Sequence, residues 1–316
     1  MILEVKNFLN KYNIRNKKVI IGFSAGPDST VMTFLLSKLA DEFNLKLVLA
    51  YFNHNWRVQE AQKEEEFTKD FALKIGAEYV IEKAPNNSLK TEEMARELRY
   101  SFFERALEKY KTDVVLLAHN KNDNIETLVY RVIKGTGIKG LCSIPEKRDN
   151  YYRPLLNISK TQILEYLKEN NIEYKIDSSN DDVKYKRNLI RKEILPLFEK
   201  VNSSYLDSIE NLIKNAISTR EIIDDILADV NNEILENGQI IQDKYLSKSK
   251  AIRYEFLNNF IGDKLKYRNY KNIKKFDDFI LENKNSQISV NKELYLKIKK
   301  NKIYFVEHND YSKIEE

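Results

Sequence analysis

The chain has 316 residues, 42% of them apolar, which is enough for two domains with packed cores and argues against wholesale disorder. Its formal charge of +5 is a mild basic excess, compatible with a nucleic-acid partner but too small to imply one without knowing how the charge is distributed. A single cysteine, Cys142, excludes intramolecular disulfides and cysteine-based zinc or iron–sulfur sites; no run approaches the ~18 apolar residues that span a bilayer, and the charged start MILEVKNFLNKYNIRNKK lacks a secretory cleavage pattern, so no membrane and a cytoplasmic location are expected.

Taken in chain order, residues 18–23 (KVIIGF) form a short apolar, β-branched run that predicts a buried strand. Residues 46–52 (KLVLAYF) and 113–118 (DVVLLA) predict the same, and 78–81 is a weaker candidate. Between them lie segments of helical length and period at 28–43, 57–75, 89–110 and 122–134. This alternation predicts an α/β fold, a Rossmann-like parallel sheet with helices on both faces. Ligands of such sheets bind beyond the carboxyl ends of the strands. Residues 135–150, with three Gly and one Pro, read as a connection, and 159–170 as a helix with Ser159 as its N-cap. A turn-rich acidic segment at 177–182 (DSSNDD) precedes a helix over 184–200 that is interrupted near Pro196. A long helical pattern over 203–236 carries the expected boundary. Beyond it, two helices (243–260 and 270–283) and an alternating pair (287–290 and 294–306) predict a smaller, mostly helical domain ending in a β-hairpin.

The chemistry is expected after the strands. Ser24-Ala25-Gly26-Pro27-Asp28-Ser29-Thr30 joins the first strand to an apolar helix. Small residues allow close backbone approach, and amides at a helix start favour an anion. An aspartate among them, Asp28, suggests a divalent cation shared with phosphates. The loop lacks the lysine of G-x-x-x-x-G-K-[ST], and G-x-G-x-x-G is absent; without a ligand, the same residues would be a helix cap. Asn53 and His54 end the second strand in Tyr51-Phe52-Asn53-His54-Asn55-Trp56-Arg57, placed to meet a nucleoside or to cap the next helix. Arg96 and Arg99, three apart in Ala95-Arg96-Glu97-Leu98-Arg99-Tyr100-Ser101-Phe102-Phe103, share a helix face suited to phosphates or to solvent. In Ala118-His119-Asn120-Lys121-Asn122-Asp123-Asn124-Ile125-Glu126-Thr127, continuing the helix back to His119 puts His119, Asp123 and Glu126 on one face. Two carboxylates and an imidazole there suit metal binding, amine recognition and proton transfer, or simply the helix dipole.

These segments resemble those of a known family. The first loop resembles the S-G-G-x-D-S loop of the N-type ATP pyrophosphatases (PP-loop superfamily). The others resemble the V-N-H-x-L-R, A-R-x-x-R-Y-x-F-F and A-H-x-x-[DN]-D-x-x-E-T segments of the lysidine synthases within it. Further matches are Lys134-Gly135-Thr136-Gly137-Ile138-Lys139-Gly140-Leu141, Arg153-Pro154-Leu155-Leu156, and Asp177 to Asp181 followed by Tyr185-Lys186-Arg187-Asn188-Leu189-Ile190-Arg191. Together they extend over about residues 18–197. Two departures stand out, Ala25 in place of a Gly and Trp56 in place of a Leu; at the [DN] position Asn122 supplies an amide where an Asp would give a third carboxylate.

The resemblance implies an ATP-dependent ligase of tRNA processing. ATP adenylates carbon 2 of the wobble cytidine of tRNA(Ile), releasing pyrophosphate; the side-chain amine of free L-lysine then attacks that carbon and expels AMP. It implies ATP and Mg2+ as cofactors, with Ser24, Ala25, Gly26, Pro27, Asp28, Ser29, Thr30, Asn53 and His54 on the nucleotide and Asp28 on the metal. Asp28, Asp123, Glu126, His119 and Arg99 are expected to be catalytic. Asp123, Glu126, Arg96, Gly135, Gly137, Arg187, Asn188 and Arg191 are expected to meet lysine or tRNA, although Arg187, Asn188 and Arg191 could instead pair with the acidic turn before them. The implied division is a catalytic domain over 1–200, a helical linker over 201–236 and a tRNA-binding accessory domain over 237–316, with a homodimer left open. In the last of these, Lys271, Lys274, Lys275, Lys297, Lys299, Lys300 and Lys302 interleave with Tyr267, Tyr270, Tyr295 and Tyr304, as suits RNA phosphates or a plain solvated surface. Paired-cysteine thiolases are excluded by the lone Cys142. A catalytically impaired tRNA-binding protein and another adenylating enzyme of the superfamily stay open.

Overall fold

A computed structural model describes residues 1–55, 58–85, 91–175, 186–265, 269–282 and 285–307. Trp56, Arg57, the acidic turn 177–182, Tyr185 and Tyr267 lie outside the described residues. The chain divides into two units, Met1–Ile217 and Ser218–Glu316.

The first unit opens with α1 (Ile2–Lys11), β1 (Lys18–Gly22), α2 (Pro27–Phe43), β2 (Lys46–Asn53), α3 (Val58–Lys74), β3 (Glu78–Lys83), α4 (Glu92–Tyr110) and β4 (Val115–Leu117). It continues with α5 (Lys121–Ile133), α6 (Ile138–Leu141), β5 (Lys147–Arg148), β6 (Tyr151–Tyr152), α7 (Lys160–Glu169), α8 (Lys186–Leu189) and α9 (Leu195–Val201). The sheet order is β3-β2-β1-β4-β6-β5; β5 alone runs antiparallel. The central strands β1, β2 and β4 are largely apolar because both faces are covered. Val19, Ile21, Leu47, Leu49 and Leu116 face α1, α2, α3 and α7, while Ile20, Ala50, Phe52, Val115 and Leu117 face Phe102, Phe103 and Ala106 of α4. A Cβ on Gly22 would lie 2.7 Å from Leu117 Cδ2 and 3.1 Å from Phe103 Cζ, so a larger residue at the end of β1 would displace these side chains. From β1 the connections leave in opposite directions, to β2 on one side and onward to β4 on the other. The β1/β4 crevice is thus the topological switch point, where open α/β sheets take their ligands.

Ser159 caps α7 as the sequence predicts, in a capping box with Gln162. The helix expected over 184–200 breaks earlier than Pro196 alone suggests. A π-helical turn at Ile190–Ile194 separates α8 from α9, and Leu195 N–H bonds to the Ile190 carbonyl, five residues back. Pro196 has no N–H for the ladder, which the wider turn accommodates.

The unit boundary falls inside α10 (Tyr205–Ile234). The second unit follows with β7 (Leu235–Glu236), β8 (Gln239–Ile241), α11 (Gln242–Leu246), α12 (Lys250–Phe260), α13 (Tyr270–Glu282), β9 (Ser286–Ser289), β10 (Leu294–Lys299) and β11 (Lys302–Glu307). The single helix expected over 243–260 is two, because Ser249 caps a new start at Lys250. The hairpin is part of a larger sheet: 294–306 folds back on itself at Lys300 and Asn301, both at positive φ, and the order is β7-β8-β11-β10-β9. Leu296, Ile298 and Ile303 pack onto Phe256, Ile273, Phe276 and Ile280. No helix among the described residues is long and apolar enough to cross a membrane.

Candidate active site

The loop after β1 is held from within. Ser29 Oγ accepts from Ser24 N–H at 3.1 Å and donates to the Gly26 carbonyl at 3.1 Å; Thr30 Oγ1 donates to the Ala25 carbonyl at 3.3 Å. Ala25 is buried at φ 58°, the left-handed conformation that costs an L-residue about 1–2 kcal/mol. Gly26 is the N-cap of α2 and Pro27 its first residue. Helix geometry leaves the amides of Gly26, Asp28 and Ser29 without an intrahelical acceptor, pointing past the strand end.

The loop after β4 meets it. Asn120 caps α5, its Oδ1 accepting from Asp123 N–H at 3.0 Å while Asp123 Oδ2 accepts from Asn120 N–H at 3.0 Å. Asn120 Nδ2 also donates to Asp28 Oδ1 at 3.0 Å, joining the two loops across the switch point. Asp28 has a second partner that the sequence reading missed: Lys160 Nζ lies 2.8 and 2.7 Å from its two oxygens. Because Asn120 is the cap, His119 precedes α5 and does not share its face with Asp123 and Glu126, which corrects the helical placement expected for it.

Asp123 and Glu126 are brought together, three residues apart in the first turns of α5. Burial first, then the Glu126 charge, push Asp123 up to about 6, against the hydrogen bond from Asn120. Arg191, in the π-helical turn, answers the pair: its Nε is 2.6 Å from Glu126 Oε1, its Nη2 2.9 Å from Oε2 and 3.5 Å from Asp123 Oδ1. Arg191 therefore pairs with α5 carboxylates and holds Glu126 most tightly.

Around His119 the neighbouring charge is positive. Burial, then the positive fields of Arg153, Arg99, Arg96 and Arg187, push His119 down to about 3, so its imidazole is neutral at physiological pH. Its Nδ1 is buried without a hydrogen-bond partner. Arg153, just past β6, is only 3% exposed; its Nη1 donates to the Pro145 carbonyl at 2.8 Å and its Nε has no acceptor. Arg96 donates to the Tyr100 hydroxyl at 3.1 Å. Arg187 is exposed and Asn188 buried. The sequence resemblance included Arg153 only as part of a matched segment; its burial is what singles it out.

Asn53 is turned inward: Nδ2 donates to Glu65 at 2.7 Å and Oδ1 accepts from Asn55 N–H at 2.7 Å, while His54 stacks edge-on against Phe52. Gly135 is exposed at φ 80°, and Gly137 caps α6 with open space around it. Asn122, at the [DN] position of the family pattern, accepts the Lys160 N–H at 2.9 Å and so fixes the start of α7. In the second unit, Lys297 lies directly opposite Tyr304 and Lys299 opposite Lys302, on the sheet face away from the buried Leu296 and Ile298.

Among the described residues no group of three or more His, Cys, Asp or Glu side chains forms a metal cluster. Magnesium does not require one, since it commonly takes one or two carboxylates and fills its other positions with water and substrate phosphates. Asp28 at the helix start fits that donor set.

A family model of the PP-loop domain matches residues 1–198. A protein named tRNA(Ile)-lysidine synthase from Clostridium tetani is 37% identical over 234 residues, 71% of this chain and 50% of its own length. One of the same name from Petrotoga mobilis is 34% identical over 226 residues, 69% of this chain and 72% of its own. The relative from Clostridioides difficile is 31% identical over 302 residues, 90% and 65% respectively. The chain spans about half the length of several curated relatives it matches. Among solved structures, the U34-tRNA thiolase NcsA from Methanococcus maripaludis superposes with a TM-score of 0.56 at 19% identity, over 67% of this chain and 78% of that one, a likeness of fold.

Proposed function

We propose, since this chain belongs to the tRNA(Ile)-lysidine synthase family of PP-loop proteins, that it joins lysine to the wobble cytidine of tRNA(Ile) in two steps at the β1/β4 crevice. The observation that carries this reading is the Asn120–Asp28 bond, which sets a phosphate-type loop beside the Asp123–Glu126 pair. One site can then serve both adenylation and amine attack.

In the first step the α2 amides and the Ser24 hydroxyl cradle the triphosphate of ATP, with Ser29 and Thr30 bracing the loop from within and the adenosine toward the β2 end near Asn53 and His54. Asp28 would hold Mg2+, which supplies positive charge to the phosphates as pyrophosphate leaves. Arg96, Arg99 and Arg153, around a neutral His119, offer charge and donors to phosphates of the tRNA or of the leaving group. In the second step lysine enters as an ammonium, drawn to the carboxylates of α5. Asp123 is a better proton acceptor than an ordinary aspartate because its pKa is raised toward that of the amine. Arg191 engages both oxygens of Glu126, which leaves Asp123 as the carboxylate to take the proton. The product is a base bearing the lysine chain, plus AMP.

Gly135, Gly137, Arg187 and Asn188 would border the anticodon, and the lysine-and-tyrosine face of the second sheet would meet tRNA phosphates elsewhere. An enzyme acting on tRNA with ATP and free lysine belongs in the cytoplasm. The test is pyrophosphate release with ATP, lysine and a tRNA carrying cytidine at the wobble position. Release is expected to require ATP and that tRNA, and to continue beyond one equivalent of enzyme only when lysine is added. No release with any such tRNA would leave a binding module, and release with free cytidine unaffected by tRNA would mean a small-molecule enzyme.

A further inference from the structure

The loop after β1 lacks the lysine that phosphate loops of the G-x-x-x-x-G-K-[ST] type carry within their own sequence. The fold brings one there from far along the chain. Lys160 stands 132 residues from Asp28, yet its Nζ lies within 2.8 Å of both carboxylate oxygens. We propose that Lys160 is the phosphate-binding lysine of this site, parked on Asp28 until a nucleotide arrives and then turned onto the β- and γ-phosphates. This rests on the reading of the loop as an ATP site.

The first support is electrostatic. Lys160 is the first residue of α7, and that helix has no acidic residue in its first turn. A cation belongs at the other end of a helix, where the dipole is negative. Through Asp28 its ammonium also sits at the first turn of α2, a second positive end. Two helix starts disfavour the charge where it lies, and Asp28 is the carboxylate that holds it. The same two helix starts favour an anion, so a phosphate entering between them improves the environment of Lys160 and of both dipoles together.

The second support is mechanical. The backbone of Lys160 is pinned while its side chain is not. Its N–H donates to Asn122 Oδ1 at 2.9 Å, Lys121 N–H donates to the Ile158 carbonyl at 2.9 Å, and Ser159 and Gln162 close the capping box. Tyr166 of α7 packs edge-on against Phe34 of α2, with ring centroids 6.4 Å apart. The side chain itself is 35% exposed. A flexible four-carbon stem on a fixed base can change partner without moving the helix. A divalent ion held by Asp28 would repel the ammonium of Lys160 and leave it free to donate to phosphate oxygens instead.

The test is equilibrium binding of α,β-methylene-ATP and of AMP, each at saturating Mg2+, to the full chain. Lys160→Met is expected to weaken the triphosphate analogue about tenfold to a hundredfold, the range for one charged hydrogen bond. AMP, which lacks the β- and γ-phosphates, should change less than about twofold, and Lys160→Arg should restore most of the loss. Thermal unfolding checks each variant, and Lys160→Gln replaces Lys160→Met if the latter does not fold. An unchanged analogue affinity overturns the proposal. So does equal weakening of both ligands, which would make Lys160 a brace for the loop. If the wild-type protein itself binds no analogue, the reading of the loop fails, and this assignment with it.

Discussion

The second unit buries Asp277 at 1% exposure, and the first unit buries Arg153 at 3%, but the two charges are treated differently. Asp277 is closed in. Tyr245 donates to it at 2.5 Å, Arg253 Nε at 2.8 Å and Arg253 Nη2 at 3.2 Å, while Arg253 Nη1 turns to the Lys248 carbonyl at 3.0 Å. Acid, base and hydroxyl satisfy one another, and burial with the Asp277 charge pushes the Tyr245 hydroxyl far up, so it stays a donor. Arg153 pairs with no carboxylate among the described residues and keeps an orphan Nε. Near it Arg96, Arg99 and Arg187 gather about a neutral His119, while Asp28, Asp123 and Glu126 in the β1/β4 crevice have Lys160 and Arg191 as their counter-cations. A closed network fixes shape, whereas half-answered charge marks a place where a ligand completes the account.

The largest effect expected from this contrast is in the closed network. Asp277→Ala leaves the Arg253 guanidinium, 12% exposed, without its carboxylate and should destabilise the second unit by about 3–5 kcal/mol. Hydrogen exchange of the α12 and α13 amides reads this, and a loss below about 1 kcal/mol would mean the network is not what holds that core. Next comes the open site. Asp28→Ala should lower pyrophosphate release about a hundredfold to a thousandfold, the scale of one preorganised electrostatic group, while the fold survives. Normal turnover would remove Asp28 from the chemistry.

What the sequence revealed follows the same division between local and distant. β1, β2 and β4 were legible because strands covered on both faces are unbroken apolar runs. The loop 24–30 and the Asp123–Glu126 pair were legible because each is a contiguous motif. The two-residue strands β5 and β6 carry no period at all, and the Lys300–Asn301 turn has no glycine to announce it. Lys160 on Asp28, 132 residues apart, and Arg191 on Glu126, 65 apart, are products of sheet topology, and no spacing rule reaches them. His119 was misplaced onto α5 because the capping role of Asn120 depends on its own backbone, at φ −113° and ψ 179°, which one sequence does not display.

A smaller, pH-dependent effect sharpens the account of the α5 pair. With Asp123 held up to about 6, kcat/KM for lysine should rise as pH passes through about 6 and level off above it, because in the proposed second step it is the carboxylate form that takes the proton. Glu126→Gln removes one of the causes that raise Asp123 and frees Arg191 to turn toward it. Both changes lower its pKa, so the acid limb should move to lower pH. The same variant should raise the lysine requirement more than the ATP requirement. A limb that stays in place, or equal changes in both requirements, would assign the proton to another group. In stability the direction is opposite to that of a salt-bridged aspartate. The folded state binds this proton more tightly than the unfolded chain, so the contribution is full below about pH 4 and is lost as pH rises past about 6.

The smallest effect concerns strain, where the two units again differ. Asn237, Gly238, Lys300 and Asn301 of the second unit take positive φ in exposed turns, where Asn and Gly do so at little cost and only Lys300 is a less usual occupant. Ala25 takes φ 58° fully buried in the loop proposed to hold ATP, where its Cβ is disfavoured by about 1–2 kcal/mol. Ala25→Gly relieves that strain but gives the unfolded chain about 0.4–1 kcal/mol of added freedom and removes a packed methyl. The net should be a stabilisation of no more than about 1 kcal/mol, read as a small rise in the thermal midpoint. Affinity for α,β-methylene-ATP should hold or increase slightly, because the loop no longer has to be forced into the shape that presents its amides. If the variant is instead destabilised by more than about 1 kcal/mol, packing of the methyl outweighs the strain. Ala25 would then be a core residue of the β1–α2 corner, and its departure from the family glycine would be a gain in packing with no cost to the nucleotide site.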